Sequence, residues 1–74
     1  MGNGGAFDKA IVEVGRYEAS MWGAYLTEYK MLDDSPTNPT IRYYAVEHEE
    51  KFYFDLKFLE VGEIWSELRK AEMR

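Results

Sequence analysis

The 74-residue sequence contains no cysteine, so neither a disulfide nor a cysteine-ligated zinc site can stabilise this small chain. It has one histidine, which is a poor basis for a catalytic triad. Basic residues are fewer than acidic ones, and the net charge of −5 gives little electrostatic support for binding a phosphate backbone. No apolar run reaches the length of a transmembrane helix. We therefore expect a soluble, cytoplasmic protein that has no enzymatic activity and binds no cofactor.

The remaining composition is that of a folded domain. Hydrophobic residues make up 46% of the chain and aromatic residues 16%, which is too apolar for a disordered protein. Residues 1–6 are rich in glycine and are expected to be flexible, whereas residues 7–74 are expected to form one small domain. A domain of this size often gains stability by associating with another chain.

The segment from residue 7 to residue 32 predicts one long helix, because it has no proline and its apolar residues recur at helical spacing. These apolar residues occupy two faces instead of one. The first face consists of Phe7, Ala10, Ile11, Val14, Tyr17, Met21, Ala24, Tyr25, Met31 and Leu32. A helix that is apolar on most sides is buried on most sides, and so short a chain has little else to cover it. The pattern therefore predicts a partner, either a second copy in a homodimer or another protein.

The second face of this helix carries the predicted protein interface. Its small residues would let another backbone approach closely, and its large side chains would anchor in a pocket of the partner. The predicted interface residues are Gly15, Ala19, Trp22, Gly23, Leu26 and Tyr29. The alternative is that the small residues pack beneath the protein's own C-terminal half.

Residues 33–40 end the helix, because two prolines occur there among Asp, Ser, Thr and Asn. Apolar and polar residues then alternate through residues 52–58 with the period of a strand. We predict a hairpin with a strand at 41–47, a turn at 48–50 and a strand at 51–59. The turn lacks glycine and asparagine and its sequence is a good helix former, so a second long helix from Pro39 is the competing interpretation.

Residues 60–73 predict an amphipathic helix, since apolar residues lie at helical spacing and acidic residues precede basic ones, as the helix dipole favours. The predicted fold is a small α+β domain with the order α-β-β-α. A long N-terminal helix would pack on the hairpin and the C-terminal helix. The alternative is an all-α helical hairpin.

Candidate chemistry is sparse. His48 and the neighbouring glutamates are typical of a solvated charged turn, because adjacent residues diverge and do not ligate one metal. Glu18 and Glu28 would lie about 15 Å apart on a straight helix, so any shared site would need two chains. The basic residues among the aromatic ones at 42–58 are interspersed with acidic residues, so nucleic-acid binding is not expected.

These observations predict a small acidic, non-enzymatic protein–protein interaction module, acting as a homodimer or in a tight hetero-complex. Its size and charge suit an inhibitor or adaptor of the type that phages and mobile elements encode. The alternative function is a helical oligomer that binds a metal or another ligand through Glu18, Glu28 and His48 across a dimer axis. Within one chain, no residue is assigned a catalytic, cofactor-binding or metal-ligating role.

Overall fold

The structure, a computed structural model, describes residues 5–72, including the side chains of residues 8–72. Its elements are α1 Gly5–Met21, β1 Tyr25–Met31, β2 Thr40–Glu47, β3 Glu50–Lys57 and α2 Phe58–Glu72. The predicted α+β class is confirmed, with one strand more than predicted, so that the order is α-β-β-β-α. Within the predicted flexible segment, residues 1–4 lie outside the described residues, and residues 5 and 6 already belong to α1.

The three strands form one antiparallel sheet in the order β1-β2-β3. Successive side chains of a strand point to opposite faces, so the register divides the sheet into an inner and an outer face. On the inner face, the middle strand presents Ile41, Tyr43 and Ala45, all of them buried. Their partners on β3 are Leu56, Phe54 and Phe52. Both helices pack on this inner face, because Val14 of α1 and Val61 of α2 share one buried cluster with Ile41.

Helix α1 ends at Met21 because the chain reverses there through a glycine. Gly23 has a φ of +76°, a left-handed conformation that disfavours any residue with a Cβ. The N–H of Gly23 donates to the carbonyl of Ser20, and the N–H of Ala24 donates to the carbonyl of Ala19, both at 3.0 Å. These two bonds form a Schellman motif, and the shared burial of Ala19 and Ala24 supplies its hydrophobic contact.

The predicted continuation of this helix to residue 32 is therefore wrong. The segment Tyr25–Met31 forms β1, which pairs with β2 and has its register interrupted between Leu26 and Glu28, so that Thr27 forms a bulge. As a strand, the segment forms backbone hydrogen bonds to β2 along one of its edges, and Leu26 and Tyr29 pack against the main core cluster. This tertiary pairing outweighs the helical spacing of the same residues.

The predicted hairpin is confirmed, and the all-α alternative is wrong. β2 and β3 pair along eight successive positions. The turn between them consists of His48 and Glu49, whose φ values are +51° and +71°. Positive φ at both positions is the geometry of a two-residue type I′ turn, for which Asn-Gly is the favoured sequence. The cross-strand pairs therefore hold a turn whose own residues disfavour it.

Helix α2 begins at Phe58, two residues before the predicted start, and residue 73 of the predicted helix lies outside the described residues. Its first turn is capped from two directions. The side chain of Glu60 accepts a hydrogen bond from the N–H of Lys57, and Asn38 in the preceding loop accepts one from the N–H of Leu59, both at 2.9 Å. These bonds satisfy N–H groups that a helix start leaves unpaired.

The core is centred on Tyr43, whose side chain is fully buried on the middle strand. Its ring stacks on Phe54 with 5.2 Å between the ring centres, and its hydroxyl donates to the carbonyl of Ile11 at 2.9 Å. The same ring lies directly against Gly15, where an added Cβ would overlap it. A glycine inside α1 is therefore required by the close approach of the helix to this ring.

Two glycine substitutions are expected to have opposite effects. Gly23→Ala should lower the free energy of unfolding by about 1–2 kcal/mol, because alanine is strained at the positive φ of the helix cap. Gly62→Ala in α2 should raise it by about 1 kcal/mol, because an added Cβ meets no atom within 4 Å and glycine is a poor helix former. Urea denaturation followed by circular dichroism measures both, and changes of the same sign would contradict the assignment of the two glycines.

The turn is expected to accept a stabilising substitution. Replacing His48→Asn and Glu49→Gly together should raise the free energy of unfolding by about 1–2 kcal/mol, because the new pair favours positive φ. Glu49→Ala is the control and should change it by less than about 0.5 kcal/mol, since alanine keeps the Cβ. An Asn-Gly variant no more stable than the wild type would show that the turn is not of this type.

Candidate interaction surfaces

The six residues of the predicted interface do not share one surface. Gly15 and Ala19 are buried, and Ala19 has no exposed area at all. Leu26 and Tyr29 point to the inner face of the sheet and are half-buried against the core. Gly23 is the cap of α1. The small residues Gly15 and Ala19 therefore pack beneath the protein's own sheet, which was the alternative interpretation of the sequence.

Trp22 is the member of this set that offers a large exposed side chain. It lies in the turn that ends α1 and is 61% exposed. Its ring leans on Phe52 of β3 with 6.2 Å between the ring centres. Met21, directly before it, is 66% exposed. Two consecutive large apolar side chains are thus presented to solvent at the end of a rigid helix.

A groove between the two helices contains Met21. We call it the helical groove, and it is lined by Tyr17, Met21, Ile64, Leu68 and Ala71, with Glu18 and Glu67 at its rim. Its volume is about 380 Å³. The apolar lining follows helical spacing on both walls, which places one stripe of each helix along the groove. The sequence places Ile64 and Leu68 on the apolar stripe of the predicted C-terminal helix, but that spacing does not predict a groove, which depends on how the two helices pack.

The walls of the helical groove are held together by a polar contact across the helices. The indole N–H of Trp65 in α2 donates to a carboxylate oxygen of Glu13 in α1 at 3.0 Å. The guanidinium of Arg69 lies 5.3 Å from the centre of the Trp65 indole, within range of a cation–π contact. The spacing of the two helices beside the groove is therefore fixed by a specific bond as well as by apolar packing.

The outer face of the sheet is a second surface, which no helix or strand covers within residues 5–72. Its charged residues are mostly basic, in contrast to the whole chain. The basic residues on this face are Lys30, Arg42, Lys51 and Lys57. The acidic residues are Glu28 and Asp55. The aromatic residues are Tyr25, Tyr44 and Tyr53.

One ion pair organises the centre of the outer face. Arg42 binds the carboxylate of Asp55 through two hydrogen bonds of 2.9 and 3.1 Å, and its guanidinium lies 4.0 Å from the centre of the Tyr53 ring. This bond lowers the pKa of Asp55 and raises the pKa of Arg42. The pair stabilises the fold fully at pH values above the ordinary pKa of Asp55. That stabilisation is lost as the pH falls through the lowered pKa of Asp55 in the folded protein. Exposure to solvent keeps the contribution small.

The residues of the alternative metal-site hypothesis are separated in the fold. Glu18 lies on α1 and Glu28 on the outer face of the sheet, whereas His48 is in the turn between β2 and β3. Among residues 5–72, no group of three or more His, Asp or Glu side chains is placed to hold a metal ion. A site shared by two chains stays a prediction.

Comparison with protein-family models, curated proteins and solved structures finds no match to this chain. Over the part of the chain that the structure describes, neither helix has the length and apolar character needed to cross a membrane.

The bond that fixes the groove walls can be tested by a double-mutant cycle. Trp65→Phe should lower the free energy of unfolding by about 1 kcal/mol, because it removes the donor and keeps an aromatic ring. Glu13→Gln should have a smaller effect, and the two changes together should cost less than their sum. Strict additivity in urea denaturation would show that the two side chains do not interact.

Proposed function

We propose that this protein is a small, non-enzymatic protein–protein interaction module that binds its partner through the helical groove and Trp22. The observation that carries the proposal is the exposure of two consecutive apolar side chains, Met21 at 66% and Trp22 at 61%, at the end of α1. Met21 is also part of the groove lining. Large apolar side chains that stand out beside a groove are typical of binding surfaces.

The shape of the groove favours a helical ligand. Each of its two walls is a stripe of apolar side chains from one helix, and an amphipathic helix can place its own apolar stripe between such walls. Trp22 follows Met21 directly in the chain and leans on Phe52 outside the groove lining, so a partner helix that extends past the end of α1 would contact it there. Buried tryptophans are among the residues that contribute most to binding energy.

The charge at the rim favours a basic partner. Glu18 of α1 and Glu67 of α2 both line the groove, so lysine or arginine flanking an apolar stripe would complement them. Glu67 is also paired with Lys70 at 3.6 Å, but so exposed a pair is weak and leaves the carboxylate able to bind a partner's base. In a symmetric homodimer the same carboxylates would face each other across the two-fold axis, which costs energy. We therefore favour a heterologous partner over a second copy of this chain.

A small acidic protein that occupies a surface of a larger basic protein fits the role of an inhibitor or adaptor. Occupation of the groove would cover the partner's helix and so block, or redirect, whatever that helix otherwise contacts. This role requires no catalytic residue in the chain.

The groove can be tested by affinity capture from the cells that encode the protein, with matched variants. Met21→Glu places a charge in the groove on an exposed position that should leave folding intact, and Tyr25→Ser changes an equally exposed aromatic residue on the outer face of the sheet. We expect wild type and Tyr25→Ser to retain a protein that Met21→Glu loses. A partner retained equally by all three variants would rule out the groove as its site.

Once such a partner is in hand, Trp22→Ala should weaken its binding by about 2 kcal/mol or more, as expected for an interface anchor. Isothermal titration calorimetry measures this directly, with Tyr25→Ser as the control. Unchanged affinity would remove Trp22 from the interface.

Self-association is tested separately by light scattering after size exclusion over a dilution series. The acidic rim leads us to expect the mass of a single chain. A concentration-dependent dimer that Met21→Glu dissociates would show that the groove binds a second copy instead.

A further inference from the structure

A second binding activity is indicated by the way the fold separates charge. The chain carries −5 overall, yet the outer face of the sheet holds four basic and two acidic side chains. Arg42 is paired with Asp55, which leaves three lysines and Glu28 on this face. One of the three, Lys57, also interacts with Asp33 of the loop before β2. The outer face is therefore basic, although the chain as a whole is acidic.

The acidic residues that accompany these lysines in the sequence lie elsewhere in the fold. Glu47 and Glu50 are register partners on adjacent strands at the end of the hairpin, and the alternation of side chains places both on the inner face of the sheet. The carboxylate of Glu47 lies near Gly23, at the end of α1. The interspersed charges that argued against nucleic-acid binding in the sequence are thus sorted onto different faces.

The same face carries aromatic rings beside the lysines. The centres of the Tyr44 and Tyr53 rings, on adjacent strands, are 6.3 Å apart, and Tyr53 is 55% exposed. An open recess of about 420 Å³ lies beside them, with Lys51 and Glu28 among its lining residues. Lysines flank this tyrosine pair in the register, with Lys51 on one side and Lys30 on the other.

We propose that the outer face of the sheet binds single-stranded nucleic acid, with a base stacking on the side of the Tyr53 ring that Arg42 leaves open and phosphates contacting Lys30, Lys51 and Lys57. Stacking platforms for single strands combine exposed aromatic side chains with a basic surface that follows the backbone. A second copy packed sheet to sheet would oppose surfaces of like charge. An acidic peptide would pair with the lysines but would leave the tyrosine rings without a stacking partner.

The test is fluorescence anisotropy with short labelled oligothymidylate and oligouridylate, titrated at several salt concentrations. With three phosphate contacts, the slope of log K against log salt should be about −2. Tyr53→Ala should weaken binding at least about fivefold, the lower limit for loss of one stacked base. Lys51→Gln should also weaken binding and make the slope shallower by about 0.7. The two oligonucleotides distinguish DNA from RNA.

Matched controls lie on the helical side of the molecule. Tyr17→Ala changes another exposed tyrosine and Lys70→Gln another exposed lysine, and neither should alter binding. Since the helical groove is not involved, Met21→Glu should bind the oligonucleotides like the wild type, whatever its effect on protein partners.

Three results would overturn the proposal. The first is the absence of salt-sensitive binding to either oligonucleotide. The second is an effect of Lys51→Gln without any effect of Tyr53→Ala, which would mean attraction by charge alone. The third is competition by polyglutamate as effective as competition by unlabelled oligonucleotide, which would assign the face to an acidic protein segment.

Discussion

The close approach of α1 to one buried tyrosine determines much of this structure. Tyr43 lies in the middle of the central strand, so any element that covers the inner face has to accommodate its ring. The helix does so with Gly15, which has no side chain, and with the carbonyl of Ile11, one helical turn earlier, which accepts the phenolic proton. Burial raises the pKa of the Tyr43 hydroxyl, so the group stays a neutral donor throughout the ordinary pH range.

The remaining packing follows from that contact. With α1 seated over the middle strand, Val14 completes a cluster to which α2 contributes Val61. The two helices together occupy the inner face, so no helix or strand within residues 5–72 covers the outer face. The surfaces available for recognition are therefore those that the helices do not bury: the seam between them, with its acidic rim, and the opposite side of the sheet, with its basic side chains.

The sequence predicted the hairpin and α2 because both have one dominant periodicity. Residues 52–57 alternate as a strand does, and the apolar stripe of α2 has helical spacing. β1 could not be predicted in this way. The apolar residues of the segment 25–31 fit the helical period, and the bulge breaks the alternation that would have indicated a strand. Gly23 decides between them, since it adopts positive φ and stops the helix, whereas Gly15 does not. In the sequence, both appear as small residues on one helical face, and only the Tyr43 ring and the cap hydrogen bonds separate their roles.

The candidate interaction surfaces, too, could be predicted from the sequence only in part. Trp22 is exposed and its place at an interface stays a prediction, whereas Leu26 and Tyr29 were grouped with it only because the helix was expected to continue. The groove depends on how α2 crosses α1, and no local pattern encodes that geometry. The separation of acidic and basic side chains onto different faces could not be predicted from the sequence either, because neighbours along a strand, such as Glu50 and Lys51, belong to opposite faces.

The bulge at Thr27 has a consequence for the open edges of this aromatic-rich sheet. A three-stranded sheet that is not closed has two edge strands whose unpaired backbone groups can recruit further strands and start aggregation. On β1 the bulge breaks the regular spacing of those groups, and the Thr27 hydroxyl is directed to the carbonyl of Tyr44 instead of outward. On β3 the edge is interrupted by the charged side chains of Lys51, Asp55 and Lys57. Irregularity at one edge and charge at the other both disfavour the addition of a further strand to this small open sheet.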